Sequence, residues 1–190
     1  MDIGCDIIHL EDHWSVDTLR QRRLFKLYVK SELSLLAQIH ENPKIAEAVL
    51  WSAKETAYKS SYVGIARFIP KQFILNQVLK DHLIIHFKEK LISVAYIIEK
   101  EYVFTKTLEL AKTIFRKGHS DEYIHIEKTE ENESFKVRKN ACNYLRNKYG
   151  GEWGICKTEF GKPYLIQDNN VSEKKISISH HKPFIAFVLH

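Results

Sequence analysis

Cysteine is scarce and poorly placed for structural chemistry: Cys5, Cys142 and Cys156 are odd in number and form neither a CxxC pair nor a Cys/His metal spacing. That excludes a zinc cage or a disulfide framework, and each thiol is expected to be reduced and silent. No apolar run approaches the roughly 20 residues of a membrane span. Asp2, Asp6, Glu11 and Asp12 fall within the opening segment, where a secretory leader would be basic and then apolar. A cytosolic protein is expected. Solenoid periods and low-complexity tracts are also lacking. Nor does one sign of charge dominate, since 29 Lys and Arg face 24 Asp and Glu for a formal charge of +5. Such a balance favours anionic partners without choosing among nucleic acid, phosphate cofactors and acidic proteins. The basic residues are scattered except at Arg20-Gln-Arg22-Arg23, and the aromatics do not interleave with them as in an RNA- or DNA-reading motif, which disfavours a nucleic-acid module.

What is present suffices for a folded core: 190 residues, 44% apolar and 12% aromatic. Residues 44–61 hold good helix formers with no Gly or Pro and predict a helix. At about 3.6 residues per turn, Trp51, Glu55, Tyr58, Lys59 and Tyr62 share one side. An aromatic, a carboxylate and an ammonium therefore lie together, although alone this is no more than an exposed i,i+4 ion pair.

Residues 2–10 read as a short strand with Ile3, Cys5 and Ile7 on one face and Gly4, Asp6 and Ile8 on the other. Asp6 is the anomaly, because a carboxylate among such apolar neighbours needs an ion pair, hydrogen bonds or a cation, unless it stays in water at the strand end. Residues 17–30 are partly amphipathic, and Ser31-Glu32 opens a second helix to about His40, ended by Asn42-Pro43. Arg20, Arg22, Arg23, Lys26 and Lys30 offer a basic surface for an acidic partner, or simply a solvated face. Segments 73–78, 83–87 and 91–98 alternate as antiparallel strands, while 102–115 fits strand or helix equally. The polar, acid-rich stretch 117–134 reads as an exposed connection. A helix over 135–149 follows, with Val137, Ala141, Tyr144 and Leu145 on one side and Gly150-Gly151 as its stop. Gly161-Lys162-Pro163 makes a rigid turn, and strands 175–180 and 184–189 close the chain. The fold class is α+β.

Four stretches, Gly4-Cys-Asp6, Trp51-Ser-Ala-Lys54-Glu55-Thr-Ala-Tyr-Lys59, Gly161-Lys162-Pro163 and Ser177-Ile-Ser179-His180 with its following apolar strand, together resemble the signatures of the 4'-phosphopantetheinyl transferase superfamily. The resemblance implies a Mg²⁺-dependent transferase of the holo-acyl-carrier-protein synthase kind. It would move the phosphopantetheine arm of coenzyme A to a serine of an apo acyl- or peptidyl-carrier protein and release adenosine 3',5'-bisphosphate. By the same resemblance Asp6 and Glu55 are the metal ligands. Glu55 is also either the base that takes the serine proton or the neighbour of a metal-bound water that does so. Lys59 is catalytic and meets the pyrophosphate; Lys54 is a further coenzyme A contact; Lys162 meets the nucleotide phosphates; Ser179-His180 places the histidine on the 3'-phosphate.

Two departures from the family pattern stand out. Where many members carry a further acid after the motif aspartate, this chain has Ile8 and His9, and an imidazole nitrogen suits Mg²⁺ poorly. In the longer, surfactin-synthetase-type members the half with G-K-P and S-H comes first, whereas here it comes last. The expected architecture is two similar α+β halves, 1–116 and 135–190, joined by 117–134. They would be circularly permuted about a link between Leu189 and Gly4, and pack as a monomeric pseudo-dimer with the active site at their interface. A catalytically silent relative that binds coenzyme A or a carrier protein is the alternative.

Overall fold

The computed structural model describes residues 2–13, 27–61, 67–108 and 122–190, with the side chains of residues 12 and 13 excepted. Strand β1 (Cys5–His9) runs into a single helical turn, α1 (Leu10–His13). A 3₁₀ turn at Lys30–Glu32 leads to α2 (Leu33–Ile39) and then to the long α3 (Pro43–Ser60). Asn42-Pro43 not only ends α2 but starts α3. Asn42 Oδ1 accepts from Lys44 N at 2.9 Å, and Pro43 occupies the first helical position, where no N–H is needed.

Four antiparallel strands follow, β2 (Ile74–Val78), β3 (His82–Phe87), β4 (Lys90–Ile98) and β5 (Tyr102–Leu108), and β1 joins them in the order β1-β5-β4-β3-β2. The segment that fitted strand or helix is thus strand as far as Leu108. Helix α3 lies across this sheet and buries Val49, Leu50, Ala53 and Ala57 against Leu83, Ile85, Ile92 and Val94. Short side chains on the buried face of α3 let it sit close to the sheet.

In the remainder, β6 (Tyr123–Lys128), α4 (Glu133–Tyr149), β7 (Trp153–Lys157), β8 (Pro163–Gln167), β9 (Asn170–Val171), β10 (Ile176–His181) and β11 (Phe184–Leu189) form two three-stranded sheets, β10-β11-β6 and β7-β8-β9. Of the connection expected over 117–134, residues 117–121 lie outside the described residues and, where an exposed loop was expected, 123–128 form β6. Its acids mask an alternation in which Tyr123 stacks on Tyr144 (3.6 Å between ring centroids) and His125 on Phe187 (4.9 Å), while β11 pairs with its backbone. Helix α4 buries Val137, Ala141 and Leu145 against Ile185, Phe187 and Leu189, and it stops at Gly150, whose φ of 70° suits glycine. The sheet β7-β8-β9 was not foreseen. Tyr62, Gly64, the basic cluster Arg20, Arg22, Arg23 and Lys26, and residues 109–121 lie outside the described residues.

Strand β1 is buried on both faces. Ile3, Cys5 and Ile7 pack with Phe184, Ala186 and Val188 of β11, while Ile8 joins the core beneath α3. One edge of β1 pairs with β5. The other is covered by side chains of β10: Cys5 N, Ile7 N and His9 N donate to Ser177 Oγ (2.9 Å), Ser179 Oγ (3.2 Å) and His181 Nδ1 (3.0 Å). Alternate residues of β10 thus replace a neighbouring backbone and satisfy donors that would otherwise be costly to bury. Among the described residues no helix is long and apolar enough to cross a membrane.

Candidate active site

Gly4 sets the geometry. A Cβ there would lie 2.2 Å from the backbone oxygen of Thr56, so only glycine lets β1 and α3 come this close. That approach carries Asp6 to the face of α3 that presents Ser52, Glu55 and Lys59. Asp6 is 4% exposed, and both its oxygens are engaged. Oδ2 accepts from Ser52 Oγ at 3.0 Å; Oδ1 accepts from Lys59 Nζ at 2.9 Å and from Ser179 Oγ at 2.8 Å. The Lys59 ammonium also donates to Cys5 O (3.0 Å) and Ser179 Oγ (3.3 Å), and lies 3.6 Å from Glu55 Oε1. Trp51 Nε1 holds the other oxygen of Glu55 at 3.2 Å. The two carboxylates expected to converge do so, on one ammonium.

A cavity of about 500 Å³ opens over this cluster, lined by Asp6, Ile8, Trp51, Glu55, Lys59, Ser179 and His180. A second cavity, of about 280 Å³, also bordered by Lys59, is lined by Arg138, Lys157, Phe160, Lys162 and Ser177. Lys59 borders both; the first is lined by the two carboxylates and the second by three further cations. Lys162 also donates to Asp2, which tethers its ammonium at the mouth of the second cavity.

Burial, and then the nearby Asp6 carboxylate, push the Glu55 carboxyl above its usual range against the opposing pull of Lys59 and the Trp51 indole. Burial works to lower Lys59, but Asp6 and Glu55 outweigh it and hold the ammonium above its ordinary value. The Cys5 thiol, fully buried, is pushed up to about 11 and has no thiolate chemistry near neutrality.

Among the described residues no group of three or more His, Cys, Asp and Glu forms a ready-made metal cage. Two converging carboxylates nevertheless suit Mg²⁺, which takes one or two protein carboxylates and completes its octahedron with phosphate and water. A divalent cation would offset the Asp6 repulsion that adds to burial in raising Glu55. Of the two residues standing where a further acid was missing, Ile8 lines the cavity and offers no donor. His9 is buried with its ring 5.5 Å from that of Phe184.

Lys54 requires a correction. It is fully buried, with Nζ 2.7 Å from Leu27 O and 2.7 and 2.9 Å from the oxygens of the equally buried Glu32. Its ammonium is taken up by this buried pairing, and it shows no exposed surface for the coenzyme A contact expected of it. Glu32, read as part of a helix start, also accepts from Val29 N and Leu75 N and ties the 3₁₀ turn to α3 and β2. Sequence reasoning gave no role to Ser52, Ser177, His181, Arg138 or Lys157. The alternation of hydroxyls and a histidine through 177, 179 and 181 was the one usable signal, since it marks a polar face within an apolar strand.

The profile of the 4'-phosphopantetheinyl transferase superfamily matches residues 2–106. The match contains Asp6, Glu55 and Lys59 and excludes Lys162, Ser179 and His180. No curated protein matches the chain. Among solved structures, holo-[acyl-carrier-protein] synthase from Neisseria meningitidis is similar over 56% of this chain and 94% of its own, at 18% identity and a TM-score of 0.46. A holo-(acyl-carrier-protein) synthase from Bacillus anthracis str. Ames, in complex with CoA (3',5'-ADP), is similar over 56% of this chain and 92% of its own, at 16% identity and a TM-score of 0.44. With more than half of its length matched by the family profile, the chain belongs to the 4'-phosphopantetheinyl transferase superfamily.

Proposed function

We propose that this protein transfers the 4'-phosphopantetheine arm of coenzyme A to a serine hydroxyl of an apo acyl- or peptidyl-carrier protein in the cytosol. The observation that carries the reading is the meeting of Asp6, Glu55 and Lys59 between two cavities, the second of them lined by cations. The serine oxygen forms a bond to the phosphorus that bears the pantetheine arm, the pyrophosphate P–O bond breaks, and adenosine 3',5'-bisphosphate leaves. Asp6 and Glu55 would hold Mg²⁺, which supplies Lewis-acid neutralisation of the phosphate oxygens. Glu55 takes the serine proton, directly or through an ordered water. Lys59 places a fixed positive charge where the leaving phosphate gains negative charge. Arg138, Lys157 and Lys162 line the second cavity and suit the nucleotide phosphates, with His180 assigned to the 3'-phosphate.

The packing of β1 against β10 and β11 supports a two-half reading, in which 1–116 and 135–190 are permuted halves of one monomer that share a single site at their seam. The transfer is tested by incubating the protein with coenzyme A, Mg²⁺ and an apo carrier protein and following the added arm by mass spectrometry. Transfer that is lost in folded Asp6→Ala and Glu55→Ala supports the roles given. Full activity in both would remove this mechanism, and coenzyme A binding without transfer would point to the silent relative.

A further inference from the structure

Beyond the charged groups, Asp6 is gripped by a line of buried hydroxyls. Ser52 Oγ, which donates to Asp6 Oδ2 at 3.0 Å, lies 2.8 Å from Thr105 Oγ1, and Thr105 Oγ1 lies 2.6 Å from Thr56 Oγ1. All three hydroxyl residues are fully buried. Each hydroxyl carries a single proton. Because the Ser52 proton is committed to the carboxylate, the contact between Ser52 and Thr105 must use the Thr105 proton, and the contact between Thr105 and Thr56 must use that of Thr56. The donors therefore run one way, from Thr56 through Thr105 and Ser52 to Asp6, and polarise one another in that direction.

Three features of the fold assemble this line. The register of β1 with β5 sets Thr105 opposite Asp6. Ser52 and Thr56 stand one turn apart on α3, and Gly4 lets that helix approach. Valine would fill the space at Thr105 without a polar group to satisfy, so a plain core had a simpler solution.

We propose that Ser52, Thr105 and Thr56 are positioning residues that lock the Asp6 rotamer so that its carboxylate and that of Glu55 address one divalent cation. This rests on the reading of Asp6 and Glu55 as cation ligands. None of the three touches the cation or a substrate; they act through Asp6.

The test uses Mn²⁺ alone, titrated into the full-length protein without coenzyme A and followed by electron paramagnetic resonance and calorimetry, with thermal unfolding measured alongside. Loss of a group that orients a metal ligand weakens affinity by about 10- to 100-fold. Ser52→Ala should therefore weaken Mn²⁺ binding about tenfold or more. Thr105→Val, which keeps the shape and removes the hydroxyl, should weaken it measurably, and Thr105→Ser, which keeps the hydroxyl, should bind nearly as the parent does. Should Ser52→Ala fail to fold, the two Thr105 variants decide. Altered melting with unchanged Mn²⁺ affinity in Ser52→Ala and Thr105→Val would reduce the line to core filling and overturn the proposal. An Asp6→Asn control separates the two levels. If the parent binds no Mn²⁺, or Asp6→Asn binds it equally well, the cation reading fails and the proposal with it; if binding needs Asp6 but ignores Ser52 and Thr105, only the positioning inference falls.

Discussion

Lys59 Nζ stands 2.9 Å from Asp6 Oδ1, and the same ammonium is 3.6 Å from Glu55 Oε1. One fixed cation thus serves two carboxylates delivered by different elements. A divalent ion held between those carboxylates, as proposed, would draw on the same oxygens and would compete with the ammonium for them.

Replacing Lys59 by Met should consequently have opposite effects on two measurements. Transfer to an apo carrier should fall on the order of 100-fold or more, the usual cost of removing one donor that faces developing charge. Mn²⁺ binding in the absence of coenzyme A should tighten, because the two acids lose their resident counter-charge. A variant that transfers at the parental rate would contradict the role given to Lys59.

For Glu55 the expectation concerns pH. Its carboxyl holds a proton more tightly folded than unfolded, because of burial first and Asp6 second. The stabilisation linked to that proton is complete below the unfolded value, about 4.3 for a glutamate, and is lost as pH rises through the raised folded value. Metal-free Glu55→Gln should therefore melt at or above the parent near neutrality, with the gap closing in acid. Carboxyl NMR should show the Glu55 titration moving down when Mg²⁺ is added. A Glu55 that titrates in the ordinary range without metal would contradict this account.

Lys54 and Glu32 give a prediction about stability alone. Breaking a fully buried pair costs about 3–5 kcal/mol, since the surviving charge is left without a partner. Lys54→Met should lower the urea midpoint accordingly and leave the coenzyme A KM of the folded protein unchanged. Making both positions apolar is no rescue, because Glu32 also serves Val29 N at 2.7 Å and Leu75 N at 2.6 Å. A raised KM in Lys54→Met would restore the lysine to the ligand site.

The W-x-x-K-E helix, the strand with its awkward aspartate and the closing pair of strands were legible because each carries a periodicity or a strain that local rules expose. Asp6 announced itself as a charge in an apolar strand, and its partners turned out to be Lys59, Ser52 and Ser179. The burial of Lys54 was not legible for a physical reason: sequence gives the direction of a side chain on a helix but not what covers it, and its partner is Glu32, 22 residues away. β6 was hidden because its pairing partner, β11, lies far along the chain, so its acids outweighed its alternation. Arg138 and Lys157 looked like any surface cation because nothing local shows that the fold sets them along one cavity.

His180 and Lys162 are separable by ligand. His180→Ala should raise KM for coenzyme A more than for its 3'-dephospho form, with little change in kcat. Because Lys162 is tethered to Asp2, Asp2→Asn should free the ammonium and lower KM for coenzyme A modestly. Equal effects of His180→Ala on the two donors would remove the 3'-phosphate assignment.

The ladder from Cys5, Ile7 and His9 to Ser177, Ser179 and His181 spans a constant offset of 172 residues. The Ser179 hydroxyl that donates to Asp6 Oδ1 is thus made 173 residues after the aspartate it holds. A chain interrupted before Ser177 would leave the outer edge of β1 bare and open to pairing with a neighbouring chain, and Asp6 without its Ser179 partner. β10 thus serves as the missing neighbour of β1, and Asp6 keeps its full set of partners only once that distant strand has docked.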